Sequence, residues 1–409
     1  MIDQTHSLSL TSWVESANAP ETDFPVQNLP FAAFRTPEDD TPRVGVGIGD
    51  QILDVTGAFQ VESLRAVMAM SRAQRRELRW AISEFLVRHT QGAEDFLTPM
   101  AGAELLLPCT IGDYTDFYAS IHHATNVGRM FRPDNPLLPN YKWLPVAYHG
   151  RASSIVVSDT PVRRPWGQIT DSPQGPPKFA ASGRLDYELE LGAFLGPGNA
   201  MGQPVAVWSA EDHIAGVCLL NDWSARDIQT WEYQPLGPFL AKNFATSISP
   251  WMVTLEALEP FRRPPEPRPP SDPAPLPHLK GGEAFDITLE VWLRSARMQG
   301  PMRISRSNFA SMYWTLAQMV AHHTSNGCPI LPCDLIGSGT VSGPEKGNRG
   351  CLLEVTWRGT EPLELPTGET RTFLEDGDEV IFRGWCEREG FRRIGLGECR
   401  GVIEPAWEG

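Results

Sequence analysis

The spacing of apolar residues divides the chain into a shorter first part with a hairpin and a helix, and a longer second part dominated by strands. Val44 to Val55 holds two short β-branched runs on either side of Gly49-Asp50, which predicts a hairpin. Arg72 to His89 carries Leu78, Ile82, Phe85 and Leu86 at helical spacing, with Ser71 placed to cap the first turn. Leu105-Leu106-Leu107-Pro108 then leads out of a small unit set at residues 1–112.

From 113 to 409 the dominant period is two. Ser154 to Val157 reads as a short strand that ends before Pro161. Leu185 to Leu195 puts Leu189 and Leu191 on one face and Glu188 and Glu190 on the other. Phe285 to Leu293 alternates through Ile287, Leu289 and Val291. One helical repeat interrupts, through Phe309, Met312, Tyr313, Leu316, Met319 and Val320, with Asn326-Gly327 as its C-cap. Residues 260–277 hold nine of the 37 prolines, which predicts an extended surface loop and excludes a central strand. With no internal repeat and no sustained helix–strand alternation, the pattern predicts a mainly β, α+β fold and not a doubly wound one.

Composition narrows the partners. A formal charge of −15 over 409 residues argues against nucleic acid and anionic membrane surfaces, while a few local Arg and Lys still allow a small acidic substrate. The seven cysteines are scattered, odd in number and without CxxC spacing, as expected of reduced thiols. Asp3, Glu15 and Glu21 precede any Lys or Arg, unlike a secretory or transit leader, and no apolar run approaches the roughly 18 residues of a membrane span. The expectation is a soluble, cytoplasmic protein.

Several clusters carry candidate chemistry. Glu188 and Glu190 stand side by side on a strand; buried, both stay charged only beside a cation such as a hard metal, whereas exposed they are a solvated face. Asp222 ends the apolar run before Ser224, a candidate cap for the helix that follows. On that helix Arg226, Gln229, Thr230 and Tyr233 form one polar stripe, suited either to substrate oxygens or to solvent. Lys242 sits among apolar and small residues, as a snorkelling side chain or a fixed charge beside an anionic centre. Asp113 to Asn126 contains Asp116, Tyr118 and His123 as candidate ligand, substrate contact and base; the adjacent His122 cannot share the face of His123. Gly337 to Gly343 lacks a P-loop lysine and is followed by Pro344, so it predicts close backbone approach to a ligand and no nucleotide site.

These motifs together resemble the fumarylacetoacetate hydrolase family. The matching stretches run in order: DYTDFY at Asp113 to Tyr118, HATNVGRMFR at His123 to Arg132, YHGRASSIVVS at Tyr148 to Ser158, DYELE at Asp186 to Glu190, NDWSARDIQTWEYQPLGPFL at Asn221 to Leu240, and SGTVSGPE at Ser338 to Glu345. The resemblance implies a small N-terminal SH3-like β-barrel over 1–112, a large mixed β-sandwich roll over 113–409, and a homodimer formed through the large domain. It implies that Asp116, Glu188, Glu190 and Asp222 ligate one divalent cation, Ca2+ or Mg2+. A second Mg2+ site would draw on Asp222, Lys242 and Thr246, with Lys242 acting mainly by its charge. Ala245 stands where the family usually has Gly, and Asn243 where it has Ser, which bears on that second site.

The implied activity is hydrolysis of a diketo acid, fumarylacetoacetate, to fumarate and acetoacetate in tyrosine and phenylalanine catabolism. His123 would be the general base oriented by Glu354, and Arg226, Gln229 and Lys242 would stabilise the oxyanion. Tyr118, Arg132, Gln229, Tyr233 and Thr340 would contact substrate, Arg132 at a carboxylate end. The alternatives are another diketo-acid hydrolase or decarboxylase of acylpyruvase type on the same scaffold, and a non-catalytic metal-binding or scaffolding protein that uses its proline-rich loop.

Overall fold

The computed structural model describes residues 1–172 and 175–408. The predicted hairpin forms: Asp39–Ile48 pairs with Gln51–Asp54 around Gly49, whose φ of +57° suits glycine. It belongs to a five-stranded antiparallel sheet with the order Leu97–Pro99, Gln51–Asp54, Asp39–Ile48, Phe31–Thr36, Glu104–Leu106. The predicted helix spans Arg72–Val87 and is opened by a capping box between Ser71 and Gln74. Its inner face is only partly apolar. Ile82 and Leu86 are buried, but so are Arg75 and Arg79. Arg79 donates to the carbonyls of Asn28 (2.7 Å) and Gln27 (2.5 Å), satisfying backbone groups of the loop before the first strand.

The larger unit is built on a mixed sheet whose main path runs Ala147–His149, Tyr114–Phe117, Leu335–Gly337, Leu189–Leu195, Ile214–Asp222, Thr246–Ile248, Ile155–Val157. A second sheet orders Met302–Asn308, Thr288–Arg294, Glu379–Cys386, Ile394–Glu404 and Val162–Arg163. Leu189, Leu191, Val217 and Leu219 of the first sheet pack against Leu289, Val291, Phe382 and Leu396 of the second. On the opposite face Phe194, Leu220, Ile248 and Leu335 pack with Val46 and Ile48 of the N-terminal unit. The central strands are therefore covered on both sides, each fully buried Leu or Phe contributing about 1.5–3 kcal/mol.

Three expectations are corrected. The run Leu185 to Leu195 is not one strand: Leu185–Asp186 pairs with Ser224–Ala225, and Leu189–Leu195 joins the main sheet. The helix predicted from Phe309 begins at Leu316, because Asn308 caps a 3-10 turn over Phe309–Ser311 and Thr315 with Gln318 starts a new capping box. It ends at His323 with Thr324 as C-cap; Gly327, with φ of +87°, closes the turn beyond by donating to the Thr324 carbonyl. The proline-rich segment pairs only through Arg262–Arg263, with Ala284–Phe285, and runs outside the sheets from 264 to 277. It is pinned by Arg268, stacked over Tyr313 (4.2 Å) and Trp314 (4.3 Å), and by Asp272, which accepts from Tyr313 Oη (3.1 Å) and pairs with Lys142.

Candidate active site

Strand register gathers the acidic residues at one end of the main sheet. Gly337 pairs with Asp116 on one side and with Gly192 on the other, and Glu190 lies two positions before Gly192 on the same face. Asp222 ends the next strand, its amide donating to the Glu188 carbonyl (3.3 Å). Carboxylate oxygens of Asp116, Glu190 and Asp222 consequently all lie within 4.8 Å of one another, and all three residues are buried. Among the described residues, Asp116 Oδ1, Glu190 Oε1 and Asp222 Oδ1 have no hydrogen-bond partner. Burial and the Asp222 charge push the Asp116 carboxyl well above its ordinary range, and burial with Asp116 does the same to Glu190. Three orphaned, converging carboxylate oxygens fit a hard divalent cation. Gly337 leaves the space: a β-carbon there would stand 2.6 Å from Asp116 Oδ1 and 3.0 Å from Glu190 Oε2.

Fixed positive charge borders the cluster. Glu188, in the break between two paired strands, accepts from Lys242 Nζ (2.7 Å) and pairs with Arg226 Nη1 (2.7 Å). Lys242 Nζ also contacts Asp222 Oδ2, which accepts from Tyr148 Oη at 3.0 Å. Burial would raise the Glu188 carboxyl, but Lys242 and Arg226 outweigh it and hold the group well below the usual carboxylate range. Lys242 is thus a buried, held charge and not a snorkelling one. Thr246, also buried, faces Asp222 across the strand pair, and Ala245 packs into the main core.

A second group adjoins the first. The helix Ile121–Phe131 is capped by Ser120, which accepts from the His123 amide (3.2 Å) and donates to the Ser342 carbonyl (3.0 Å). His123 Nδ1 lies 2.6 Å from Glu354 Oε2. The same carboxylate accepts from Asn126 Nδ2 (2.8 Å), Ser342 Oγ (2.7 Å) and Cys351 Sγ (3.3 Å). Complete burial would raise Glu354, yet His123 and these donors hold it down at about 2. Asp186 locks the short helix Leu352–Val355 that carries Glu354. It accepts from the amides of Leu352 (2.8 Å) and Leu353 (3.0 Å) and from Arg226 Nε (2.9 Å). The Tyr118 ring stands edge-on to His123, with 5.1 Å between centroids.

The expected residues divide into two groups. Asp116, Glu188, Glu190, Asp222, Lys242 and Arg226 are brought together, as are His123 and Glu354, whereas His122 is only half-buried. Gln229 joins through Arg226 Nη1 (3.2 Å), and Thr340 is buried with its hydroxyl unpartnered among the described residues. Arg132 and Tyr233 lie outside the buried cluster: Arg132 is exposed at the far end of its helix, donating to the Pro136 carbonyl (3.3 Å), and Tyr233 is 40% exposed. Ser224 does not cap the helix Arg226–Glu232; it is paired in a strand with Asp186 and donates back to the Asp222 carbonyl, and Ala225 is the N-cap. Asp186, Tyr148, Asn126, Ser342 and Cys351 were not anticipated. Asn126 had a signal, lying one turn after His123; Asp186 and Tyr148 stand at the ends of the DYELE and YHGR stretches; Ser342 and Cys351 had none.

A buried carboxylate cluster beside a histidine–carboxylate pair is suited to metal-assisted acid–base chemistry such as hydrolysis. Residues 113–404 match the family described as "Fumarylacetoacetate (FAA) hydrolase C-terminal", and residues 27–108 match "Fumarylacetoacetase N-terminal". The chain belongs to the fumarylacetoacetate hydrolase family. The fumarylacetoacetases of Rattus norvegicus and Homo sapiens are each 48% identical to it over 413 residues, covering 95% of this chain and 98% of theirs. That of Arabidopsis thaliana is 47% identical over 412 residues, covering 94% and 97%. Among solved structures, the fumarylacetoacetate hydrolase of psychrophilic Exiguobacterium antarcticum superposes with a TM-score of 0.54 at 17% identity, covering 92% of this chain and 99% of its own. A putative HpcE protein from Mycobacterium smegmatis gives 0.55 at 18%, with the same coverage. These two likenesses concern the fold alone. No helix among the described residues is long and apolar enough to cross a membrane.

Proposed function

We propose that this protein hydrolyses the carbon–carbon bond of fumarylacetoacetate, giving fumarate and acetoacetate. The observation that carries the reading is the intact His123–Glu354 pair, 2.6 Å apart, beside a three-carboxylate cluster in a chain that matches fumarylacetoacetases over almost its whole length. An acylpyruvase-type reaction or a non-catalytic scaffold is not favoured, since no such protein stands among the full-length relatives compared above.

Asp116, Glu190 and Asp222, with Glu188 at their edge, are the groups that would hold the cation, Ca2+ or Mg2+. When bound it supplies Lewis-acid polarisation of the substrate's diketo oxygens and balances enolate charge. With Nδ1 engaged by Glu354, His123 has Nε2 left to take a proton from water. The hydroxide adds to the carbonyl carbon of the fumaroyl half, the bond to the neighbouring methylene breaks, and His123 returns the proton to that carbon. Arg226 and Lys242 are buried fixed cations suited to the oxyanion, with Gln229 held against Arg226. Tyr118 and the unpartnered Thr340 hydroxyl contact the substrate within the site, and the exposed Arg132 and Tyr233 receive its solvent-side carboxylate.

A second Mg2+ beside Asp222, Lys242 and Thr246 is supported by the register that sets Thr246 opposite Asp222 and by the Ala245 methyl packing into the core. The two family matches support division into a small unit at 1–112 and a catalytic unit at 113–409. The reading further assigns the protein to tyrosine and phenylalanine catabolism, to the cytoplasm, and to a homodimer through the large unit. The test is the ultraviolet absorbance of fumarylacetoacetate mixed with purified protein. Decay that stops with chelator and returns with Mg2+ or Ca2+ is expected; a stable spectrum with metal-loaded protein would move the function to another diketo acid.

A further inference from the structure

Tyr141 and the proline-rich segment take no part in the chemistry described above, yet their contacts converge on Tyr118. The Tyr141 hydroxyl donates to the Tyr118 carbonyl (2.9 Å). The Tyr118 amide donates in turn to the Val146 carbonyl (2.9 Å), so the stretch from Tyr141 to Val146 holds both backbone groups of Tyr118. The Tyr118 ring has two ring neighbours, His123 at 5.1 Å and Tyr141 at 6.1 Å between centroids, and it meets both edge-on.

Tyr141 is buried and is held in turn. Trp314 Nε1 donates to the Tyr141 carbonyl (3.2 Å), and the Tyr313 ring tilts against the Tyr141 ring, 6.1 Å between centroids. Arg268 lies over Tyr313 and Trp314, at 4.2 and 4.3 Å, and its Nη1 donates to the Lys142 carbonyl (3.3 Å). Asp272, its side chain only 1% exposed, accepts from Tyr313 Oη (3.1 Å) and pairs with Lys142 Nζ. Pro267, Pro269, Pro270 and Pro273 fix φ around these two residues, and the Asp272 amide closes a turn on the Pro269 carbonyl (2.8 Å). A stiff stretch outside the sheets therefore presents a cation and an anion, and both grip the neighbours of Tyr141.

We propose that Tyr141 is a positioning residue for Tyr118, set in place by the Arg268–Asp272 clamp of the proline-rich segment, and that these contacts govern how tightly substrate is held. Such a role rests on the reading of Tyr118 as a substrate contact. The His123–Glu354 pair is braced separately, by Ser120, Ser342 and Asn126. A displaced Tyr118 weakens substrate binding and leaves proton transfer alone, so the effect falls on KM and not on kcat.

The experiment measures kcat, KM and Tm of full-length, metal-loaded protein as wild type, Tyr118→Phe, Tyr141→Phe, Asp272→Asn and the Tyr118→Phe/Tyr141→Phe double variant. The substrate is fumarylacetoacetate, or the diketo acid that the wild type turns over in its place. Tyr141→Phe removes one hydroxyl and should raise KM about three- to tenfold, the reach of one hydrogen bond, with kcat within about twofold of wild type. Asp272→Asn keeps an acceptor for Tyr313 but not the charge facing Lys142, and should shift KM in the same direction. In the double variant the Tyr141 change should add little to the Tyr118 effect, because the contact it positions is already gone. A KM unchanged by Tyr141→Phe while Tyr118→Phe raises it would overturn the proposal and leave the substrate role of Tyr118 standing. Two KM effects that multiply in full, a loss confined to kcat and Tm, or a KM untouched by Asp272→Asn would also overturn it. If Tyr118→Phe itself keeps the wild-type KM, the substrate reading of Tyr118 fails first and the proposal falls with it.

Discussion

Glu354 accepts from His123, Asn126, Ser342 and Cys351, and its carboxyl is held down at about 2, so it is charged near neutral pH. Glu354→Gln keeps the shape and removes the charge that orients the imidazole, so kcat should fall about 10²–10⁴-fold with KM little changed. His123→Ala should abolish turnover while a substrate analogue still binds, measured by calorimetry; unchanged turnover would remove His123 as the base. The carboxylates predict opposite pH signs. Glu354, lowered to about 2 from an ordinary 4.5, contributes stability that is complete above 4.5 and lost as pH falls toward 2. Asp116 and Glu190 are raised above 3.8 and 4.5 in the metal-free protein, so their contribution is complete below those values and lost as pH rises through the raised ones. The Tm of chelated protein should therefore drop as pH rises above 4.5, where the Glu354 contribution is complete, and added Mg2+ or Ca2+ should flatten that slope by displacing the protons; a slope indifferent to metal would contradict the cation site. Asp222 was legible in sequence as the end of an apolar run, and Glu188 and Glu190 as an acidic pair, although the period of two does not place Glu188, which lies in the break between two strands. Asp186 and Ser342 were not, because each acts on a residue far along the chain, which local spacing cannot report.

At the scale of elements, the site depends on strands approaching closely enough for carboxylates to meet. Gly337→Ala adds a methyl within 2.6 Å of Asp116 Oδ1 at ordinary strand dihedrals. It should leave the circular dichroism spectrum intact while lowering divalent-metal affinity at least about tenfold; full affinity would show that this edge does not hold the cation. Asp186→Asn weakens the acceptor that ties two amides of the Glu354 helix to Arg226, and should lower both stability and kcat. Apolar periodicity and turn residues located the hairpin, the helix Arg72–Val87 and the strand Thr288–Arg294. Periodicity failed at Phe309 to Trp314, where residues at helical spacing are buried from a 3-10 turn and an extended stretch. Two capping side chains, Asn308 and Thr315, decided that boundary against the repeat.

At the scale of the molecule, the N-terminal unit covers one face of the main sheet and the second sheet covers the other, so the catalytic strands have no free face. Arg75 links the two units through the buried Glu256 (3.3 Å) and the Ile214 carbonyl (3.2 Å). Arg75→Ala leaves Glu256 buried without its cation and should cost about 3–5 kcal/mol in urea denaturation. Buried arginines on an amphipathic helix carry no sequence signal, which is why this anchor was not foreseen. The family stretches between Asp113 and Glu345 made the larger unit legible. The account turns on water adding to the fumaroyl carbonyl, and hydrolysis of fumarylacetoacetate in ¹⁸O-labelled water, followed by mass spectrometry of the products, tests it most directly. One label in the fumarate carboxylate, from metal-loaded wild type and not from His123→Ala, is the predicted result; turnover that yields no labelled fumarate would contradict it.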